Sequence, residues 1–441
     1  MLSLTDHLAY TTDDAPGIGG IIKQRPEDFL VEELPLYEPT GEGEHLYLFI
    51  EKQLQTTSDV TRRLAKMFHV KRSDIGYAGL KDKRAITRQH FSIYLPNREN
   101  EQKYLERIEF TPFNLLWSDR HANKLRRGHL AGNRFVIRIR NVEATSVLRV
   151  KQVLDRLVTL GVPNYIGDQR FGYRQNNHRL GQMFLLRQWQ PMLDELLGVF
   201  AENDPASTID SRKAYLRGDY AGAIEHWPRA FRHERQALDT LRQGRPLEQA
   251  IRAIDQTQRE FFLSALQSAI FNEVLSRRVK DKTFDQLLQG DLAWKHDSRS
   301  VFAVDQQTAE LENSSAGRVP KLQVSPSGPM WGDDLIQPQD EPLALEKEIL
   351  ESYNLTPEAF AQCPMPMIGV RRSLRMSISN ASVSGGVDEH GSFVRVAFDL
   401  PRGCFATMVL REIMKPCNEA PRQTIHKGNT PPPTNSELPS S

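Results

Sequence analysis

The chain has 441 residues, 39% hydrophobic and 26% charged, which is the composition of a globular protein with a substantial core and room for two to three domains. Its formal net charge is only +1, so a nucleic-acid partner would have to be met by basic residues segregated onto one face. Cys363, Cys404 and Cys417 form neither a metal-binding pair nor a disulfide framework; with no signal-peptide pattern and no apolar run of membrane-spanning length, the chain reads as cytoplasmic.

Residues 1–17 are polar and read as a flexible N-terminus. The segment 41–45, Gly-Glu-Gly-Glu-His, superficially resembles a phosphate loop, but its two glutamates would repel phosphate, and it reads as a hairpin turn. Residues 46–50 have strand character, and 57–68 have helical spacing through Val60 and Leu64, with Thr57 or Ser58 as the cap. Residues 134–140 alternate: Phe135, Ile137 and Ile139 on one face, Arg134, Val136, Arg138 and Arg140 on the exposed one. A helix over 147–160 ends at Gly161 and Pro163. Residues 178–290 are mostly helical in pattern, 321–334 read as a loop because of their prolines and glycines, and 340–353 return to helix. Residues 393–400 form a strand with Val394, Val396, Phe398 and Leu400 on one face, and 417–441 have the composition of a disordered tail. Strand patterns at both ends with helices between them suggest one sheet-containing domain interrupted by an insertion.

The chemistry concentrates in five blocks. In Gly76-Tyr77-Ala78-Gly79-Leu80-Lys81-Asp82-Lys83-Arg84, one carboxylate stands among cations that favour its ionised form. The competing explanation is a turn aspartate capping a backbone N–H. Lys23 precedes Arg25-Pro26-Glu27-Asp28-Phe29. Asn133 and Phe135 follow Lys124-Leu125-Arg126-Arg127-Gly128, and the segment 120–140 holds seven cations and no acid. Arg126 and Arg127 would face a groove for a polyanion, or the run is a solvated face. Gln169-Arg170-Phe171-Gly172 and Phe398-Asp399-Leu400-Pro401-Arg402-Gly403 complete the set.

In this order and spacing the five blocks resemble the TruD family of tRNA pseudouridine synthases, over residues 18–416. The resemblance implies an α+β fold: a pseudouridine-synthase-type mixed-sheet catalytic domain interrupted by a largely helical α+β insertion (TRUD) domain. The corresponding divisions are 18–160 and 371–416 for the catalytic domain and 161–370 for the insertion. It further implies isomerisation of uridine to pseudouridine in tRNA, at uridine 13 in the D-arm region, by a monomer without guide RNA. Asp82 matches the family's catalytic aspartate and Lys23 an active-site lysine. Asn133 would orient the site and Phe135 would stack on the target base, although the strand alternation alone puts Phe135 in the core. Arg170 would contact phosphate or tie the domains by an ion pair. Neither a nucleotide loop nor a zinc pattern is present in the sequence, and the reaction calls for neither cofactor nor metal. Two rival readings are a non-catalytic tRNA-binding or tRNA-folding factor, and a hydrolase pairing Asp28 with Asp82.

Overall fold

The computed structural model describes residues 5–201 and 204–416. The first part of the chain lays down β1 (Phe29–Pro35), β2 (His45–Gln53), β3 (Ile75–Tyr77), β4 (Ile86–Tyr94), β5 (Phe113–His121) and β6 (Leu130–Arg140). Period-two burial shapes β2: Leu46, Leu48 and Ile50 pack with Val60 and Leu64 of helix Thr57–Met67. The cap of that helix is Thr56, one residue before Thr57 and two before Ser58. Thr56 Oγ1 accepts from Asp59 N and the Asp59 carboxylate accepts from Thr56 N, both at 3.1 Å, a reciprocal capping box. Helix Val147–Leu160 ends at Gly161, whose φ of 84° a side chain would strain.

Next comes a helical segment, from Asn177–Leu185 to the 25-residue helix Gln256–Lys280, with β7 (Val162–Pro163) before it. After it lie β8 (Leu292–Lys295), β9 (Val301–Ala303), β10 (Val324–Met330) and β11 (Val370–Ser373), paired in the order β11-β10-β8-β9. Half of the loop expected over 321–334 is therefore strand, buried at six of its seven positions. Its prolines forfeit only their own donors; Pro326 O still accepts from Leu374 N at 2.9 Å. A short ladder between β7 and β12 (Arg375–Met376) links the chain's departure from the main sheet with its return.

The return supplies β13 (Ser379–Asp388), β14 (Gly391–Pro401) and helix Ala406–Met414. The main sheet has eight strands, ordered β13-β14-β6-β1-β4-β2-β5 with β3 beside β4. Only β1 and β4 run parallel, so the sheet is mixed and the fold is α+β. The pairing of β6 with β14 runs from Phe393↔Arg140 to Pro401↔Gly132 and joins the two ends of the chain. Their inward rows, Phe135, Ile137 and Ile139 against Val394, Val396, Phe398 and Leu400, form the largest core with helices Val147–Leu160 and Ala406–Met414.

Three expectations fail here. Residues 41–45 are not a hairpin turn, because β4 lies between β1 and β2 and the connection is a crossover. Arg140 is not on an exposed face: it is 2% exposed and makes bidentate pairs with Asp28 and Asp388. Within the segment read as flexible, residues 5–17 are held. The Glu412 carboxylate accepts from Thr11 N, Thr12 N and Thr12 Oγ1, and Arg411 donates to the carbonyls of Thr5, Leu8 and Ala9. Polar composition hid this because the partners are a buried ion pair some 400 residues away. The tail expected over 417–441 lies outside the described residues.

Candidate active site

Asp82 lies in the loop joining β3 to β4. Side chains from three directions pin this loop. Lys81 N donates to Thr57 Oγ1 at 3.1 Å, and Gln89 donates to Gly79 O. Lys52, 1% exposed, donates to Gln55 O at 2.8 Å and to the carbonyl of Asp82 itself at 3.3 Å. Burial without an adjoining carboxylate lowers the Lys52 ammonium to about 8, with the Asp82 charge partly opposing the shift. Gly76 is required at its position because a Cβ there would stand 2.1 Å from Leu125 O.

The Asp82 carboxylate receives 2.7 Å from Lys23 Nζ, and its side chain is 47% exposed. Lys23 adopts φ 58° and holds its ammonium 4.3 Å from the Phe29 ring centroid. No backbone N–H takes the Asp82 carboxylate among the described residues, so the capping explanation of this aspartate does not hold. Its neighbour Lys81 turns the opposite way, to Glu33 Oε2 at 3.1 Å and to Asn133 Oδ1. Glu33 also meets His90 Nδ1 at 3.2 Å.

Lys23, Asp82, Asn133 and Phe135 share the wall of one cleft of about 710 Å³. Phe135 serves two surroundings at once. It is 8% exposed, lies edge-on to Phe29 at 6.4 Å and beside Phe398 at 5.7 Å, yet it lines the cleft. Asp168, Arg170 and Phe261 line it as well, with the Arg170 guanidinium 5.2 Å from the Phe261 ring. Arg170 has no carboxylate partner among the described residues, so the ion-pair role does not hold.

Arg126 and Arg127 do not line this cleft; they are exposed in the loop between β5 and β6. The rest of the basic run is largely consumed internally. Arg120 is buried against Leu95 O and Glu101, Lys124 binds Ser73 O, Arg134 pairs with Asp399 at 2.8 Å, and Arg138 and Arg140 share Asp388. The seven cations do not make one free basic face, because strand register puts Asp399 of β14 and Asp388, the last residue of β13, beside Arg134, Arg138 and Arg140. The pairing of Asp28 with Asp82 fails as well: Asp28 is fully buried and bound by Arg140 at 2.7 Å.

Sequence reading missed Lys52, Glu33 and Lys81 as parts of the site. Two signals were available. Glu33 continues the inward row of Phe29 and Val31, where an acid needs a buried partner, and Lys81 directly precedes Asp82.

A mixed sheet built from both ends of the chain is thus interrupted by a largely helical segment, and the cleft that bears Asp82 is lined from both parts. The family model for tRNA pseudouridine synthase D (TruD) matches residues 6–413, and the chain belongs to that family, whose members are isomerases. A protein named tRNA pseudouridine synthase D from Geobacter sulfurreducens is 41% identical, covering 92% of this chain and 96% of its own. A protein of the same name from Thermus thermophilus is 35% identical, covering 92% of each chain. A crystal structure from Methanosarcina mazei, described as a candidate tRNA pseudouridine synthase D (TruD), superposes with a TM-score of 0.81 at 27% identity, over 92% of this chain and 96% of that one.

Proposed function

We propose that the chain isomerises uridine to pseudouridine in tRNA, at uridine 13 in the D-arm region, with Asp82 as the catalytic carboxylate. The observation that carries this reading is the Lys23–Asp82 pair, 2.7 Å apart and open to a cleft that Phe135 also lines. The reaction breaks the bond between C1′ and N1, turns the detached uracil and joins C5 to C1′. The proton on C5 is then lost and N1 gains one, so nothing is consumed. A carboxylate at the electron-poor C1′ either bonds to it or stabilises it while a glycal forms. Lys23 donates to the Asp82 carboxylate and sets a positive charge beside it. Lys52 fixes the main chain beneath it, and the Lys81–Glu33 pair orients Asn133. Phe135, on the cleft wall, is the aromatic ring on which an extruded base would stack.

In this reading a monomer recognises tRNA without guide RNA, in the cytoplasm where tRNA resides. Among the described residues no helix is long and apolar enough to cross a membrane. Two measurements test the proposal. Pseudouridine mapping of tRNA from cells with and without the gene should show one position lost. Purified Asp82→Asn should bind tRNA like the parent and lack turnover; near-normal turnover would remove Asp82 from the chemistry, and parental binding with no turnover by either protein would favour a tRNA-binding factor.

A further inference from the structure

Glu33 and Asn133 stand opposite each other across the β1–β6 ladder. Lys81, from the loop that also carries Asp82, reaches both: its Nζ lies 3.1 Å from Glu33 Oε2 and donates to Asn133 Oδ1. The other Glu33 oxygen, Oε1, accepts from His90 N at 3.3 Å and meets His90 Nδ1 at 3.2 Å. The His90 ring is itself stacked on Phe49, with centroids 4.4 Å apart. The side chains of Lys81 and Glu33 are 6% and 1% exposed, so neither can swing away without stranding a buried charge.

These contacts decide which way the Asn133 amide faces. A lysine ammonium has donors only, so it meets the amide through its oxygen and never through its nitrogen. With Oδ1 bound to Lys81, the amide nitrogen keeps both its hydrogens for another acceptor. Among the described residues no acceptor takes either of them, and Asn133 lines the cleft beside Lys81, Asp82 and Phe135. An amide whose oxygen is held by a cation is also the stronger donor, because linked hydrogen bonds polarise one another.

We propose that Lys81, held by Glu33, locks the Asn133 amide so that its nitrogen donates to a carbonyl oxygen of the target uracil and stabilises the charge the ring carries while detached. The inference rests on the isomerisation proposed above and adds to it a catalytic role for Asn133, with Lys81 and Glu33 as positioning residues. When the C1′–N1 bond breaks, its electron pair stays with N1, and the negative charge spreads to O2 and O4. A fixed donor at either oxygen acts where charge develops. Turning the ring about the line from N3 to C6 exchanges N1 with C5 and O2 with O4. The donor that meets one carbonyl before the turn therefore meets the other after it. Cytosine carries an amine in place of O4, to which the Asn133 nitrogen cannot donate, so the same contact favours uracil.

The test measures single-turnover pseudouridine formation and tRNA affinity for the parent, Asn133→Ala, Asn133→Asp and the double variant Glu33→Leu/Lys81→Leu. Asn133→Asp keeps the shape and can still pair with Lys81 but has no amide donor. Both Asn133 variants should lose about 10²- to 10³-fold in rate with tRNA affinity near the parent's. The double variant, which removes both buried charges together, should fold yet turn over at least about 10-fold more slowly, which a purely structural role for the pair would not produce. Transcripts with 2-thiouridine or 4-thiouridine at the target position read the contact directly, because sulfur is a weak acceptor. At least one of them should slow the parent, and that slowing should vanish in Asn133→Ala. Slowing by neither transcript, slowing of equal size in both proteins, or parental turnover by Asn133→Ala overturns the role of Asn133. Parental turnover by the folded double variant overturns the positioning by Lys81 and Glu33. A parent that makes no pseudouridine refutes the activity reading and this role with it, whereas an active parent beside an unimpaired Asn133→Ala refutes this role alone.

Discussion

Replacing Phe135 separates its two surroundings. The ring is 8% exposed and wedged between Phe29 and Phe398, so Phe135→Ala opens a cavity in the core shared by β6 and β14 and should cost about 3–5 kcal/mol of stability. The same change removes the π-face at the cleft, where stacking on a base is worth roughly 1–3 kcal/mol. Converted to rate, that is about 5- to 150-fold in kcat/KM per folded molecule. Phe135→Leu distinguishes the terms, because leucine still fills much of the space beside Phe398 but has no π-face. It should melt much closer to the parent than Phe135→Ala while keeping most of the catalytic loss, and Phe135→Tyr should retain much of the activity. The assay pairs urea melts with single-turnover pseudouridine formation at a temperature where every variant is folded. A Phe135→Leu enzyme with parental turnover would show that the ring serves packing alone. A Phe135→Ala protein as stable as the parent would show that the core does not depend on it.

Glu33→Leu should cost about 3–5 kcal/mol, since Lys81, whose side chain is 6% exposed, would be left as an uncompensated buried charge. The double variant with Lys81→Leu should recover part of that loss, and strict additivity in urea melts would refute the coupling. Arg140→Met should be similarly destabilising because fully buried Asp28 loses its bidentate partner; a loss under about 1 kcal/mol would show that the pair is dispensable. Burial pushes His178 and His296 down to about 4 in the folded protein, against 6.5 for the free side chain. Between those values the unfolded chain binds more protons. The stability is therefore present above pH 6.5 and lost as pH falls toward 4, by at most about 3 kcal/mol for each histidine. Melts of His296→Gln and the parent from pH 7.5 to 4.5 should converge as the pH drops, and a constant difference would refute the assignment.

The alternation over residues 134–140 and 393–400 was enough to place the inward rows of β6 and β14, because burial on one face of a strand imprints period two on the chain. Helix Val147–Leu160 was equally legible, since apolar spacing and Gly161 mark its body and end. The Asp82 loop could be singled out because its glycines and clustered charges are local in sequence. Strand β10 was misread because prolines count against a strand only where their missing donor is needed, and pairing decides that.

The sequence specified strands such as β6 and β14, helices such as Val147–Leu160, and which short blocks hold chemistry. Tertiary structure alone decided which charges remain available. Arg140 and Arg126 look alike in one basic run, yet the first is sealed between Asp28 and Asp388 and the second stays exposed. The same holds for Lys23 and Lys81, which take Asp82 and Glu33 respectively. The reason is physical: periodicity records the burial of each element separately, whereas an ion pair depends on the register between strands far apart in the chain. That register brings Lys23, Asp82, Asn133 and Phe135 onto one cleft wall.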